Sequence, residues 1–196
     1  MKRAVASMMA TGLLLLAGSA AADPAWTTGK ATVSGQLDYG IFTGDSPPGF
    51  DLNPYGIGLG VKGGYTLDAS VYVGGAFDYF FGGSEEATGG EFNVNVWMLQ
   101  GEVGYDLGLM PEGVLRPKLG LGLTSASSEA CISFGGDERC ESDSQSKFSL
   151  APGVQFLYSL DSLFLTADAR YNIVFTSDDE GDANGIVFGV GAGIPF

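Results

Sequence analysis

The sequence predicts an all-β fold, an eight-stranded antiparallel up-and-down barrel that spans a membrane through its strands. Three observations support this prediction. Apolar residues recur at every second position in about eight stretches, and this two-residue period is typical of strands. Long and short connections alternate between those stretches, as they do in transmembrane barrels. Hydrophobic residues make up 45% of the chain, which has 32 glycines and only 16% charged residues.

The final stretch, residues 185–196, shows the period most clearly. Every second residue is apolar, and most of the residues between them are glycine. One face of the predicted strand is therefore apolar and the other is small. The apolar positions are Ile186, Phe188, Val190, Ala192, Ile194 and Phe196.

The predicted strands cover residues 30–43, 55–65, 70–81, 92–107, 115–124, 148–160, 163–176 and 185–196. The connections after the first, third, fifth and seventh strands are long and polar, and the longest loop is expected at residues 125–147. A polar loop is also expected at residues 82–90. The apolar phase of the fourth strand slips near Trp97 and Met98, so we expect a β-bulge there.

The N-terminus has the pattern of a secretory signal peptide. Two basic residues precede a short apolar core from Val5 to Ala17, and small residues precede Asp23. The alternative is a retained transmembrane helix, but the core falls short of the roughly 20 residues that such a helix needs. We therefore predict a signal peptide over residues 1–22 and a barrel domain over residues 23–196.

Composition excludes several classes of function. Removing residues 1–22 takes away two of the nine basic residues and none of the 23 acidic ones, so the net charge changes from −14 to −16. This charge argues against nucleic acid as a partner, because phosphates need a basic surface. The sequence contains no histidine, so Ser-His-Asp and Cys-His arrangements cannot form. We expect no enzymatic activity, no catalytic residues and no cofactor.

The polar face of the predicted strands carries charged and amide residues that we expect to point into the barrel. Side chains fill the interior of an eight-stranded barrel, and an unpaired buried charge is costly. A structural network of ion pairs is favoured; the alternative is a gate whose pairs exchange partners and open a narrow water path. Glycines on the same face leave room for water and keep that alternative open. The predicted network consists of Asp38, Lys62, Asp78, Gln100, Glu102, Arg116, Lys118, Gln155, Asp168 and Arg170.

Two features lie in the predicted loops. Cys131 and Cys140 suit an exported protein in an oxidising compartment, and we expect a disulfide between them. Free thiols or an intermolecular bond are the alternatives.

The acidic loop at residues 177–184 has oxygen-bearing side chains that suit Ca²⁺, but it lacks EF-hand spacing, so a solvated surface is favoured. The weak candidate metal ligands are Asp178, Glu180 and Asp182.

From about Lys30 to Phe196 the chain resembles the eight-stranded outer-membrane barrels of the OmpA/OmpX type. The resemblance rests on the alternating strands, the connection lengths and the terminal strand that ends at Phe196. It implies an integral outer-membrane protein that contacts membrane lipid and lipopolysaccharide and is inserted by the barrel-assembly machinery. It also implies an assembly signal at Phe188, Ile194 and Phe196, beside which Pro195 is unusual. No peptidoglycan-binding domain is expected after the barrel.

A soluble lipocalin-like barrel, with its apolar face inside, is the competing fold. The glycine-rich polar face carries too little charge for a solvated exterior, and aromatic residues fall near strand ends, as in membrane barrels. Those aromatic residues are Tyr55, Tyr65, Tyr79, Tyr105, Tyr158 and Tyr171.

The predicted function is non-enzymatic, either envelope structure or surface contact through acidic loops with an extracellular partner that is unknown. One alternative is a narrow passive channel for ions or small solutes. Another is a barrel that holds a small hydrophobic ligand and opens laterally. The resemblance to a fold family does not decide among these roles.

Overall fold

In the part of the chain that the structure describes, ten β-strands form one antiparallel sheet. The structure is a computed structural model, and it describes residues 26–44, 53–87, 90–134, 137–177 and 181–196. The predicted signal peptide, residues 1–22, lies outside the described residues. None of the described residues forms a helix long and apolar enough to cross a membrane. The strands are β1 (Ala31–Phe42), β2 (Gly56–Thr66), β3 (Val71–Phe80), β4 (Ser84–Ala87), β5 (Gly90–Tyr105), β6 (Leu107–Met110), β7 (Gly113–Phe134), β8 (Asp137–Leu160), β9 (Leu163–Val174) and β10 (Gly185–Pro195).

The sheet closes into a barrel because its first and last long strands pair with each other. β1 pairs with β10 from Thr32 opposite Pro195 to Phe42 opposite Gly185, and with β2 on its other side. The order around the barrel is β1, β2, β3, β5, β7, β8, β9 and β10. The short strands β4 and β6 pair with β5 and β7. The predicted eight-stranded up-and-down barrel is confirmed.

Burial alternates along the barrel strands, with polar residues inside. In β1, Gln36 and Asp38 are buried, whereas Leu37 between them is 55% exposed. On β2, the outward residues Ile57 and Val61 are 59% and 57% exposed. An apolar outer surface around a polar interior is the arrangement of a barrel in lipid. It is the reverse of the lipocalin-like alternative, which is therefore wrong.

The two ends of the barrel differ in their connections. At one end, which we call the turn end, residues 67–70, 111–112 and 161–162 join neighbouring strands, and β1 begins and β10 ends there. Asp161 in the last of these turns has a φ of 59°, which suits the two-residue turns that match strand twist. The opposite end, which we call the loop end, carries the connections after β1, β3, β7 and β9.

The expectation of an irregular loop at residues 125–147 is wrong. β7 and β8 stay paired through this segment, up to Phe134 opposite Asp137. β5 pairs with β7 as far as Gly90, and β4 lies within the loop predicted at residues 82–90. These strands continue past the loop end of the barrel as a sheet. We call it the protruding sheet and define it as residues 84–87, 90–95, 126–134 and 137–147.

The β-bulge predicted near Trp97 and Met98 is not present in the described length of β5. β5 pairs with β3 and with β7 through this region without a shift in register. The apolar phase slips in the sequence because Val96 and Met98 point inward, where they are 2% and 0% exposed. An apolar cluster inside the barrel, rather than an extra residue in the strand, explains the pattern.

Tyr55 also departs from its predicted outward position, since it is buried inside the barrel. Gly56, the next residue, has a φ of 62°, in the left-handed region that glycine enters readily. The regular alternation of β2 therefore begins after Tyr55 and does not set its direction. Tyr65 and Tyr105, near the turn end, are exposed on the outer surface as predicted.

Candidate functional site

Charged side chains from neighbouring strands meet inside the barrel, and we call this group the charged belt. Each lies at an inward position, and none is more than 6% exposed. Such burial requires partners, because removing a charge from water is costly. The belt consists of Asp38, Lys62, Asp78, Glu102, Asp106, Arg116, Lys118, Asp168 and Arg170.

Asp168 lies at the centre of the belt and contacts three cationic side chains. Its Oδ1 is 2.9 Å from Nζ of Lys62 and 3.3 Å from Nη1 of Arg170. Its Oδ2 is 2.8 Å from Nζ of Lys118. These contacts join β2, β7 and β9 across the lumen.

Two further ion pairs extend the belt to β3 and β5. Lys118 Nζ lies 2.7 Å from Oε1 of Glu102, and Arg170 Nη2 lies 2.9 Å from Oδ2 of Asp78. Lys118 and Arg170 therefore each bridge two carboxylates. A cation shared in this way ties several strands together, so loss of one member leaves its neighbours with an uncompensated charge.

Arg116 forms a separate group nearer the turn end. Its guanidinium binds the Asp106 carboxylate through two nitrogens, with Nη2 2.9 Å from Oδ2. It also donates to Oγ1 of Thr66 and to Oε1 of Gln155, both at 3.3 Å. The guanidinium carbon lies 3.7 Å from the centre of the Tyr72 ring. A forked contact to a carboxylate combined with stacking on an aromatic face is a geometry that only arginine provides.

A neutral hydrogen-bond chain links the belt region to the loop end. Asn172 Nδ2 donates to the hydroxyls of Tyr55 and Thr124, both at 3.1 Å. Gln100 Nε2 donates to Oδ1 of Asn172 at 3.2 Å, and the Thr124 hydroxyl donates to the Ser149 hydroxyl at 2.9 Å. These contacts fill the lumen between the belt and the loop end with polar groups, of which the Gln100 oxygen has no hydrogen-bond partner among the described residues.

Two apolar clusters enclose the belt. At the loop end, the Tyr55 and Phe80 rings pack with centroids 5.5 Å apart, and at the turn end Trp26 and Phe164 pack at 5.7 Å. Because the residues between these clusters are buried, packed side chains fill the described part of the lumen. The loop-end cluster is Tyr55, Phe80, Val96, Met98 and Val187, with Phe42 against it; the turn-end cluster is Val114, Leu157 and Phe164, with Trp26 against it.

A small pocket lies at the loop end beside the loop-end cluster. Its volume is about 120 Å³, and its lining includes Phe42, Val96 and Val174 together with Thr124 and Lys147. Sites for drug-sized ligands usually measure about 300–1,000 Å³. The pocket is smaller than that, so it offers little support for a barrel that holds a hydrophobic ligand.

The protruding sheet contrasts with the lumen in its exposure. Every side chain from Cys140 to Ser146 in β8 is exposed, and so is Glu129 on the neighbouring β7. Cys131 and Cys140 face each other across these two strands and form a disulfide, which confirms the predicted pairing. The bond ties β7 to β8 close to the end of the hairpin.

One edge of β8 is open in the described part of the protruding sheet. On its β9 side, the ladder begins at Ser149, preceded by one bond from Phe175 N–H to the Phe148 carbonyl. The backbone N–H and C=O groups of Phe148 point toward β9, and in an antiparallel strand every second residue points its backbone groups to the same side. The residues whose N–H and C=O groups face the open edge are Ser142, Ser144 and Ser146.

All members of the predicted polar network lie inside the barrel and are buried. The network also includes groups that the sequence analysis left out, namely Thr66, Tyr72, Asp106 and Asn172. The period could have identified Asp106, because it has the same inward parity as Gln100 and Glu102. Thr66 and Tyr72 carried no comparable signal, because neither is charged.

The remaining predicted positions are distributed over the surface. Phe188, Ile194 and Phe196 are exposed on the outer face of the barrel. Asp178 and Glu180 lie outside the described residues, so the calcium site stays a prediction.

Several solved structures share this fold. The attachment invasion locus protein Ail of Yersinia pestis has a TM-score of 0.61 and 20% identity, covering 86% of this chain and 99% of Ail. A major outer membrane protein from Thermus thermophilus has a TM-score of 0.61 and 13% identity, covering 85% and 98% of the two chains. Neisserial surface protein A has a TM-score of 0.52 and 12% identity, covering 85% and 96%. At these identities the likeness indicates the fold alone.

A search of curated protein sequences found no match to this chain. The family model described as the outer membrane protein beta-barrel domain matches residues 10–194. That match covers nearly the whole chain and agrees with the closed barrel, its polar interior and its apolar outer surface. The chain therefore belongs to the outer membrane protein beta-barrel family.

Proposed function

We propose that this protein is a non-enzymatic contact protein of the cell surface and that the protruding sheet makes the contacts. The observation that carries the proposal is the open edge of β8 beyond the loop end of the barrel. Barrels of this family have their longer connections outside the cell and their short turns in the periplasm. The protruding sheet would then face the extracellular medium.

The lumen supports a contact role over conduction. The charged belt is ion-paired and lies between two apolar clusters, so an open water path would require several side chains to leave their partners. Breaking buried pairs of this kind is expensive. A narrow passive channel therefore remains the alternative function and requires a rearranged lumen.

The edge of β8 has the properties of a strand-addition site. Exposed strand edges accept an extended segment of another protein through backbone hydrogen bonds, with specificity from alternate side chains. Natural proteins usually protect such edges with charged side chains, prolines or bulges, and here the exposed charges of Glu141 and Asp143 are the protection that a basic partner would neutralise. The stretch containing Ser142, Ser144 and Ser146 has no proline and keeps regular pairing with β7.

The charge of the sheet indicates the kind of segment that would bind. Glu141 and Asp143 are exposed on β8, and Glu129 is exposed on β7. An added strand with basic side chains at alternate positions on the face of Glu141 and Asp143 would lie beside these two carboxylates. Glu129, which pairs with Ser142, lies on the other face. Ail has been solved with the heparin analogue sucrose octasulfate, a polyanion. The acidic surface here favours a basic partner instead, because like charges in an interface are repulsive.

Binding of a designed peptide tests the proposal directly. The barrel, refolded in lipid nanodiscs, is titrated with a peptide of alternating lysine and valine, with an alternating glutamate and valine peptide as control. The substitution Ser144→Pro removes one edge N–H without touching the ladder to β7, and Ser144→Ala is the matched control. We expect binding of the lysine peptide to wild type and Ser144→Ala, and at least tenfold weaker binding to Ser144→Pro.

Two results would contradict this function. Equal binding to Ser144→Pro and Ser144→Ala would exclude strand addition at this edge. In planar bilayers we expect no discrete current steps; reproducible steps that change when Arg116 or Lys118 is neutralised would support the channel instead.

Export is a further part of the proposal. Removal of residues 1–22 would leave Asp23 as the first residue of the mature protein. N-terminal sequencing of protein from outer-membrane fractions is expected to begin at Asp23, and a retained Met1 would overturn this expectation.

A further inference from the structure

The charged belt contains one carboxylate more than it has cationic groups. Its acidic members are Asp38, Asp78, Glu102, Asp106 and Asp168, and its basic members are Lys62, Arg116, Lys118 and Arg170. Among the described residues, every basic member forms an ion pair, and every acidic member except Asp38 takes part in one. Asp38 is only 1% exposed, and neither of its oxygens has a hydrogen-bond partner among the described residues.

Asp38 faces Asp78 across Gly60. A carbon atom placed at the Cβ position of Gly60 would lie 2.6 Å from Oδ2 of Asp38 and 2.5 Å from Oδ1 of Asp78. Asp78 uses its other oxygen, Oδ2, to pair with Arg170 at 2.9 Å. Its Oδ1 is buried, has no hydrogen-bond partner among the described residues, and lies beside the same Gly60 position as Oδ2 of Asp38.

Two buried carboxylates in this arrangement cannot both remain ionised at low cost. Neighbouring like charges and burial each favour the neutral form, and carboxyl pairs elsewhere respond by sharing one proton. Arg170 holds the charge of Asp78, which leaves Asp38 as the member that takes the proton. One bound proton would also make the belt electrically neutral.

We propose that Asp38 and Asp78 form a proton-binding pair, in which the protonated carboxyl of Asp38 donates a hydrogen bond to Oδ1 of Asp78. The proton comes from solvent and no other bond is made or broken. The other charged groups that act on Asp38 are Lys62 on β2 and Arg170 on β9. On β10, the residue opposite is Gly189, which adds no charge.

A proton fits this place better than a metal ion. Hard cations take about six or more oxygen ligands, whereas the space over Gly60 offers one oxygen from each carboxylate. Gly189 closes the other side, because a carbon at its Cβ position would clash with Oδ1 of Asp38. Gln36 also lies there, with Nε2 3.2 Å from that same position.

The pair has a defined effect on the pH dependence of stability. Above the pH at which an ordinary aspartate ionises, the unfolded chain releases the Asp38 proton and the folded barrel retains it. The folded state then binds more protons, so stability falls as pH rises until the pair itself ionises. Asp38→Asn keeps the shape and a hydrogen-bond donor but cannot titrate, so its stability lacks this component.

Infrared spectroscopy and unfolding of the refolded barrel test the proposal together. In D₂O at neutral pH, wild type is expected to show the carbonyl band of a protonated carboxylic acid, which Asp38→Asn lacks and the surface control Glu141→Gln retains. The unfolding equilibrium constant of wild type relative to Asp38→Asn is expected to rise by up to about tenfold per pH unit above the ordinary aspartate range.

Each alternative outcome overturns the proposal. Absence of the band in wild type, which needs no variant to fold, means that Asp38 carries no proton. A difference in stability between wild type and Asp38→Asn that does not change with pH also means that Asp38 carries no proton. Stability of wild type that instead rises with sodium or potassium concentration, and does not in Asp38→Asn, assigns the place to an alkali cation.

Discussion

The charged belt and the protruding sheet belong to the same antiparallel ladder, but they place their polar residues in opposite surroundings. In the belt, charged side chains are at most 6% exposed, and Asp168 alone contacts three cations. In the protruding sheet, Glu141 and Asp143 point into solvent on a strand whose far edge is open. Removing a charged side chain from the belt should therefore lower the stability of the barrel. Removing one from the protruding sheet should weaken the binding of a partner.

This difference separates two tasks within one fold. The belt and the apolar outer surface suit the membrane, where every backbone polar group needs a partner within the protein. The protruding sheet lies beyond that constraint, so its backbone edge can stay open. The following changes test the separation, from the largest expected effect to the smallest.

Asp168→Ala should cause the largest loss of stability. It leaves Lys62, Lys118 and Arg170 facing one another without their shared carboxylate, and breaking a buried pair costs about 3–5 kcal/mol. Urea unfolding in lipid vesicles, followed by tryptophan fluorescence, measures the change. The matched control is Asp143→Ala in the protruding sheet, which should change stability by less than about 0.5 kcal/mol. Similar losses for both variants would contradict the comparison.

Val61→Arg tests the outer face of the barrel. Val61 is exposed on β2, opposite in direction to the belt residue Lys62. An arginine facing lipid near the middle of the membrane should destabilise the barrel by about 2–4 kcal/mol. The same unfolding assay measures it, with Ser146→Arg beyond the barrel as control. A neutral effect of Val61→Arg would argue that this face does not meet lipid.

Replacing Cys131 and Cys140 by serine should have a local effect. The disulfide closes a loop with a sequence separation of 9, and a loop of this size corresponds to about 2–3 kcal/mol in the chain-entropy account. We expect faster hydrogen exchange in residues 126–146 and unchanged exchange in the barrel strands. Faster exchange throughout the barrel would show that the hairpin supports the whole fold.

Ser144→Pro should have the smallest effect on stability and a large effect on peptide binding. Its N–H faces the open edge, where proline is tolerated because no ladder bond is lost. Unfolding should change by less than about 0.5 kcal/mol, while lysine-peptide binding weakens. A large loss of stability would mean that this N–H already has a partner in the folded chain.

The barrel could be predicted from sequence because lipid and a packed lumen impose opposite demands on alternate residues. Where that contrast is strong, as in β1 and β9, the predicted strands differ from the observed ones by at most two residues at either end. Inward residues such as Arg170 followed from the same parity. The ion-pair partner of each charged residue could not be predicted in this way. Those partners depend on how far neighbouring strands are staggered around the barrel, and the sequence of a single strand does not determine that stagger.

The protruding sheet was missed for a related reason. In the protruding sheet, serine and acidic residues occur on both faces of β7 and β8, with Glu129 and Ser142 on one face and Ser128 and Asp143 on the other. Without a buried face, the two-residue period disappears. Val96 and Met98 led to the wrong prediction of a β-bulge. They belong to an apolar cluster inside the lumen, so at the loop end apolar residues occupy inward positions that are polar elsewhere in the barrel.

A shortened barrel tests the separation of these two regions most directly. Residues 125–146, which include all three residues of the open edge, are replaced by an Asn-Gly turn, which suits a two-residue hairpin between the paired residues Thr124 and Lys147. Lysine-peptide binding is then measured in nanodiscs after the folded barrel has been verified by its altered gel mobility on heating. We predict a folded barrel whose binding falls to background; retained binding, or a barrel that no longer folds, would contradict the account.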